Sequence, residues 1–146
     1  MIISEAKEQD FPSICILIKN ELGYTELNNT ETINRLKYFS ESNDWITYIA
    51  SDDSGEIIGF IGVMKGLAYN IEGYYSQIIA LAVSKKAQRK GIGSKLVKKA
   101  EEWSISNGIA AIGVNSGIKR LDAHAFYQKN GYVKKSFSFI KIFSKD

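Results

Sequence analysis

The 146-residue chain has one cysteine, Cys15, one proline, Pro12, and one histidine, His124. A single cysteine excludes an internal disulfide framework and any paired-thiol redox or zinc motif, and it suits a reducing compartment. With one histidine, one distant cysteine and no carboxylate cluster there is no zinc ligand set, so no metal is expected. No apolar run approaches the ~20 residues that span a bilayer. Met1 to Asp10 carries no basic stretch followed by an apolar one, so no secretory signal is expected, and a cytoplasmic protein is. The glycosylation sequon Asn28-Asn29-Thr30 then reads as chance. Charge is nearly balanced, 19 basic against 16 acidic residues, and the excess of +3 does not imply nucleic acid or membrane as a partner. No Pro- or Ser-rich linker, charge block or repeat divides the chain, so residues 1–146 read as one domain, long enough to bury a core.

What is present is a clear succession of periodic segments. Met1 to Lys7 reads as a short strand. Asp10 reads as a cap for a helix with Pro12 in its first turn, an apolar face of Phe11, Ile14, Cys15, Ile18 and Leu22, and a stop at Gly23. A second helix follows Thr30. Trp45 to Ser51 and Ile57 to Met64 flank the turn Asp52-Asp53-Ser54-Gly55 as an antiparallel hairpin. Tyr75 to Val83 is the next strand, and its nearly continuous apolar end predicts burial on both faces. A helix from about Gly91 to Ser106, a strand from Ile109 to Val114, a helix from Leu121 to Lys129 and strands at Tyr132-Val133 and Phe137 to Phe143 complete the order β-α-α-β-β-β-α-β-α-β-β. An antiparallel half joined to a β-α-β half predicts an α/β fold with one mixed sheet and helices on both faces.

The chemistry starts where the buried strand meets the glycine turn. The first N–H groups of a helix have no partner within it, and the macrodipole adds positive charge there. Gly91 and Gly93 remove the side chains that would keep an anion away, and Lys86, Arg89, Lys90 and Lys95 surround the turn. These residues form a phosphate or pyrophosphate cradle. Gly93-Ser94-Lys95 does not spell the Walker A order, and the third glycine of a dinucleotide fingerprint is absent.

Gln88-Arg89-Lys90-Gly91-Ile92-Gly93 fits Gln/Arg-x-x-Gly-x-Gly/Ala at every fixed position, and in this it resembles the GNAT acyltransferase superfamily. Ala80-Leu81-Ala82-Val83 before it is similar to that family's fourth strand. The resemblance implies a GNAT-like fold in which Leu81, Ala82 and Val83 pair with the pantetheine arm of acetyl-CoA and Gln88 to Ser94 hold its pyrophosphate. A second match follows in order. Ala123-His124, Phe126-Tyr127 and Gly131-Tyr132 fall on the family's later helix, which assigns Tyr127 as general acid to the departing thiolate. The resemblance gives His124 a structural role. Where the family often has an asparagine seven positions before the tyrosine, this chain has Arg120, which can meet a CoA phosphate instead. The glutamate that many relatives use as base is also missing, and Glu72 is the candidate nearest that place, beside Gln77, which cannot act as a base.

The expected function is N-acetylation of a primary amine from acetyl-CoA, by direct attack in a ternary complex, with Cys15 in the core rather than carrying the acyl group. The acceptor is a small molecule or a peptide, and Tyr24, Glu26, Trp45, Tyr69, Glu72 and Tyr74 either line its pocket or serve as ordinary core and loop residues. A homodimer is compatible with the resemblance. The alternative is a catalytically silent CoA-binding or sensory domain of the same fold.

Overall fold

A computed structural model describes residues 1–144, which divide into two compact units, Met1–Val114 and Asn115 onward. The first unit holds one five-stranded sheet in the order β1 (Ile2–Glu5), β2 (Trp45–Ser51), β3 (Ile57–Gly66), β4 (Tyr75–Val83) and β5 (Ile112–Val114). The first three pairings are antiparallel, and β4 with β5 is parallel. The mixed α/β class read from the sequence is therefore present, with the parallel step at the β4–α3–β5 crossover, where α3 spans Ile92–Ser106.

Helices α1 (Phe11–Leu22) and α2 (Asn29–Glu41) build the core of one sheet face. Phe11, Ile14, Cys15 and Leu17 of α1 and Leu36 of α2 meet Ile49, Phe60 and Ala82. Asp10 does not cap α1 as expected. Its carboxylate accepts the Lys7 N–H at 2.8 Å, closing a short 3₁₀ turn (Glu8–Asp10) that leads straight into the helix. At the other end Gly23 takes the left-handed conformation, φ 80°, and stops α1 as read. Asn28 of the sequon accepts the Glu31 N–H at 3.0 Å and caps α2.

Neighbouring residues of a strand point to opposite faces, so Gly59, next to Phe60, faces the α3 side. A Cβ there would lie 3.1 Å from the Ala82 carbonyl oxygen and 3.2 Å from Leu96 Cδ1. The missing side chain lets α3 approach the sheet, where Leu96, Val97 and Ala100 are fully buried. Gly59→Ala is expected to cost about 1–3 kcal/mol through overpacking and to lower Tm by roughly 5 °C; an unchanged thermal melt would refute this packing account.

One strand boundary and two expected strands differ from the sequence reading. Ile109 to Ala111 is not strand: the end of α3 uses the Ile109 N–H, and the ladder is met only at Ala111, whose carbonyl accepts the Ser76 N–H at 3.2 Å. Gly108, φ 71°, donates its N–H to Ile105 O, and Ile109 donates to Ser104 O, both at 3.0 Å, in a Schellman close. The strands expected at Tyr132-Val133 and Phe137 to Phe143 do not form among the described residues. Strand propensity reflects how side chains fit a pleated, half-buried surface, and without a neighbouring ladder that propensity has nothing to act on. The second unit contains α4 (Leu121–Lys129). Among the described residues, no helix is long and apolar enough to cross a membrane.

Candidate active site

β4 carries the first part of the site. Its pairing with β5 covers only Ser76 to Ile78, whereas β3 accompanies it through Val83. Ile79 has no partner in the β3 register, which passes from Val63–Ile78 to Gly62–Ala80. This is a bulge, the kind of irregularity that re-aims a strand. Burial on both faces was expected here and does not hold. Ile78 and Ala82 are buried, but Ile79 is 46% exposed, because the sheet opens where β5 stops pairing.

Hydrogen bonds fix which backbone groups face that opening. Ser84 donates its N–H across to Ile58 O on β3 at 2.8 Å. The Val83 carbonyl instead accepts Gln88 Nε2 at 3.0 Å. Backbone groups alternate along an antiparallel strand, so the N–H and C=O of Leu81 also point away from β3. Ala82 pairs with Phe60 on β3, and its side chain packs in the α1 core.

The turn is built around two left-handed residues. Gly91, φ 77°, is the N-cap of α3 and makes no side-chain cap. A Cβ on it would meet nothing within 4 Å, so the helix start lies open. Arg89 is the single described non-glycine residue at positive φ, 66°. Such a conformation costs about 1–2 kcal/mol and is typical of functional turns. The Gln88 bond to Val83 closes the turn from the other side. At the opposite ends of these elements, the start of β4 and the last turn of α3, Ser76 and Ser104 share a buried 2.7 Å hydroxyl contact, and Ser104 Oγ donates to Ala100 O at 2.9 Å, tying β4 to α3.

The basic residues divide. Lys86 is committed to Glu56 through contacts of 2.6 and 2.7 Å, so it adds less free charge than its sequence position suggests. Lys90 and Lys95 line one open cleft of about 430 Å³ with Met1, Glu56 and Lys86. Arg89 and Lys90 are exposed at the turn, beside the α3 start formed by Ile92, Gly93 and Ser94.

In the second unit the helix end explains the Gly131-Tyr132 half of the motif. Gly131 is left-handed at φ 90° and donates to Gln128 O at 3.0 Å, and Tyr132 donates to Tyr127 O at 2.9 Å. This Schellman close sets Tyr132 against Tyr127, ring centroids 5.7 Å apart. Phe126 also meets Tyr127 edge-on, ring centroids 5.1 Å apart. Tyr132, named in the sequence only as part of the Gly131-Tyr132 motif, thus packs its ring against Tyr127. Burial raises the Tyr127 pKa, with Arg120 pulling it the other way, so the phenol keeps its proton at neutral pH. His124 Nε2 lies 2.8 Å from the Gly117 carbonyl, an acceptor only, so the ring donates and braces the connector before α4.

The remaining candidates separate by environment. Glu72 is exposed on the loop between β3 and β4, with Tyr69 and Tyr74. Tyr74 lies under Lys65 Nζ, 5.0 Å from the ring centroid. Tyr24 and Glu26 are exposed between α1 and α2. Trp45 stacks on Phe39 at 4.0 Å and is a packing residue.

Comparison with known proteins converges on one family. The model of the acetyltransferase (GNAT) family matches residues 11–132. The aminoalkylphosphonate N-acetyltransferase of Salmonella typhimurium is 30% identical over 138 residues, covering 94% of this chain and 86% of its own. A GNAT family acetyltransferase from Staphylococcus aureus superposes with TM-score 0.77 at 26% identity, over 97% of this chain and 98% of its own. A transcriptional regulator from Bacillus halodurans has the same fold, TM-score 0.88 at 23% identity, over 98% and 99%.

Proposed function

This chain belongs to the acetyltransferase (GNAT) family and is thereby an acetyl-transferring acyltransferase; from that premise we propose that it acts as one N-acetyltransferase domain, moving acetyl from acetyl-CoA to the primary amine of a small molecule. The observation that carries this reading is the continuous run from β4 to α3. An open strand edge at Leu81 leads into a turn whose Gly91 leaves the helix start uncovered. That start suits a pyrophosphate, and the edge suits an extended amide arm.

Acetyl-CoA supplies the thioester. The chain's own groups do the rest. Gly91 to Ser94, with Arg89 and Lys90, hold the pyrophosphate, Gln88 keeps the turn closed, and Arg120 meets a further phosphate. The Leu81 N–H donates to the thioester carbonyl oxygen as the acceptor nitrogen attacks, and Leu81 and Val83 flank the arm. When the C–S bond breaks, Tyr127 gives its proton to the sulfur, and the proton shed by the nitrogen as it becomes the amide passes through solvent to return Tyr127 to its phenol. The acceptor ammonium first loses a proton, to Glu72 or to water. Cys15 supports direct transfer, because it is buried and its pKa is raised by that burial, with Lys19 and Arg35 opposing. A buried, protonated thiol is a poor acyl carrier.

For the acceptor, the name of the Salmonella relative makes aminoalkylphosphonates the first class to test. Amino acids, polyamines, aminoglycosides and peptides complete the panel. The measurement is thiol release from acetyl-CoA, with product mass as confirmation. Amine-dependent release is expected, and acetyl-CoA binding with no turnover across the panel would instead support a silent CoA-binding domain. Glu72→Gln tests the base: an unchanged pH profile assigns the proton to water.

A further inference from the structure

The turn that carries Arg89 at φ 66° needs support, since a strained residue persists only where its surroundings over-determine it. Besides the Gln88 bond, that support comes from three directions. Ser84 donates its N–H to Ile58 O on β3 at 2.8 Å. Lys86 is tied through its side chain to Glu56. Between them, the Lys85 N–H donates to Glu21 Oε2 at 3.1 Å, a contact between residues 64 positions apart. Lys85 opens the short 3₁₀ turn Lys85–Ala87, which leads directly into Gln88, and Ala87 at its end is buried. Glu21 therefore reaches from the last turn of α1 to the backbone at the base of the cradle.

Two effects disfavour a carboxylate at this place. The end of a helix carries partial negative charge from the macrodipole, and α1 stops one residue later, at Leu22, with Gly23 as its C-cap. A carboxylate near an anion site also repels the anion. The bond to Lys85 offsets both, because a charged acceptor makes a stronger hydrogen bond than a neutral one. The base of this strut is firm. Phe11, Ile14, Cys15 and Leu17 of α1 are buried, and Ile18 and Leu22, near Glu21, pack against the same core.

We propose that Glu21 is a positioning residue for acetyl transfer, its carboxylate holding residues 85–90 in the geometry that takes the acetyl-CoA pyrophosphate. This rests on the assignment of the pyrophosphate to that turn. Without the bond, the turn exchanges with conformations that relax Arg89, and the apparent affinity falls with the fraction of chains left competent. Charge alone predicts the opposite, since removing a nearby carboxylate should tighten the binding of an anion. The two effects differ in sign.

The test compares Glu21→Ala and Glu21→Gln with the wild-type chain. Glutamine keeps an oxygen for the Lys85 N–H and drops the charge, whereas alanine drops both. In Glu21→Ala the Kd and KM of acetyl-CoA should rise about fivefold or more, with kcat at saturation within about twofold. Glu21→Gln should bind as the wild type does or more tightly. Amide exchange in the ligand-free chain gives a readout independent of activity: the Lys85 N–H should exchange faster in the alanine variant and stay protected in the glutamine variant. Alanine suits a helix, so α1 should persist. Should the alanine variant nevertheless melt early, faster exchange confined to the turn supports the proposal, and faster exchange throughout the chain overturns it. An alanine variant that binds acetyl-CoA as well as the wild type, or a glutamine variant as weak as alanine, removes the role of Glu21 alone. A wild-type chain that binds no acetyl-CoA removes the pyrophosphate assignment, and this proposal with it.

Discussion

Gly91→Asp should weaken acetyl-CoA binding by about 100-fold or more while leaving the fold standing. The substitution separates the two jobs of this residue. As backbone, Gly91 holds φ 77° at the N-cap of α3. Aspartate enters that region more readily than most residues, at roughly 1–2 kcal/mol, and it is favoured at helix starts. Its Cβ has no protein atom within 4 Å to displace. As a ligand cradle, the same position would now hold a carboxylate at the helix N-terminus, where the pyrophosphate is proposed to sit. The new charge competes for the same N–H groups and repels the phosphates. Calorimetric titration of acetyl-CoA, beside a thermal melt, reads both effects. An affinity within threefold of wild type in a folded variant places the pyrophosphate elsewhere.

Tyr127→Phe is the second large effect, on turnover rather than binding. Loss of a positioned general acid costs about 10²–10⁴-fold, so kcat should fall by about 100-fold or more with the acetyl-CoA Kd within twofold. The ring contacts with Phe126 and Tyr132 need no hydroxyl, so packing should persist. The upward pKa shift from burial sets the pH behaviour. The acting form is the protonated phenol, so the wild-type kcat should show no descending limb from Tyr127 below the ordinary phenol value of about 10. A variant with wild-type turnover would remove Tyr127 from the mechanism.

Much of the local structure around the candidate site was legible because it is local. β4 runs from Tyr75 to Val83 as its composition indicated, and α4 from Leu121 to Lys129, closing at Asn130 and the left-handed Gly131. The glycine turn was legible for the same reason. A helix start, a left-handed glycine and nearby basic residues are neighbours in sequence before they are neighbours in space. What was not legible depends on partners. The Ile79 bulge belongs to the β3 ladder and the exposure of β4 begins where β5 stops pairing, neither of which the apolar run could show. Lys86 looked like cradle charge until Glu56, thirty residues away, was placed beside it. Asp10 looked like an α1 cap, but its carboxylate reaches Lys7 in the turn before. Residues 137–143 have strand composition but stand in no strand among the described residues, so composition alone could not decide their structure.

The measurement that bears most directly on the central claim is amine-dependent thiol release from acetyl-CoA by the wild-type chain, with aminoalkylphosphonates first in the panel. Release that saturates with amine and yields a product heavier by one acetyl group is the predicted result. Acetyl-CoA that binds but is never consumed, whatever the amine, would contradict it.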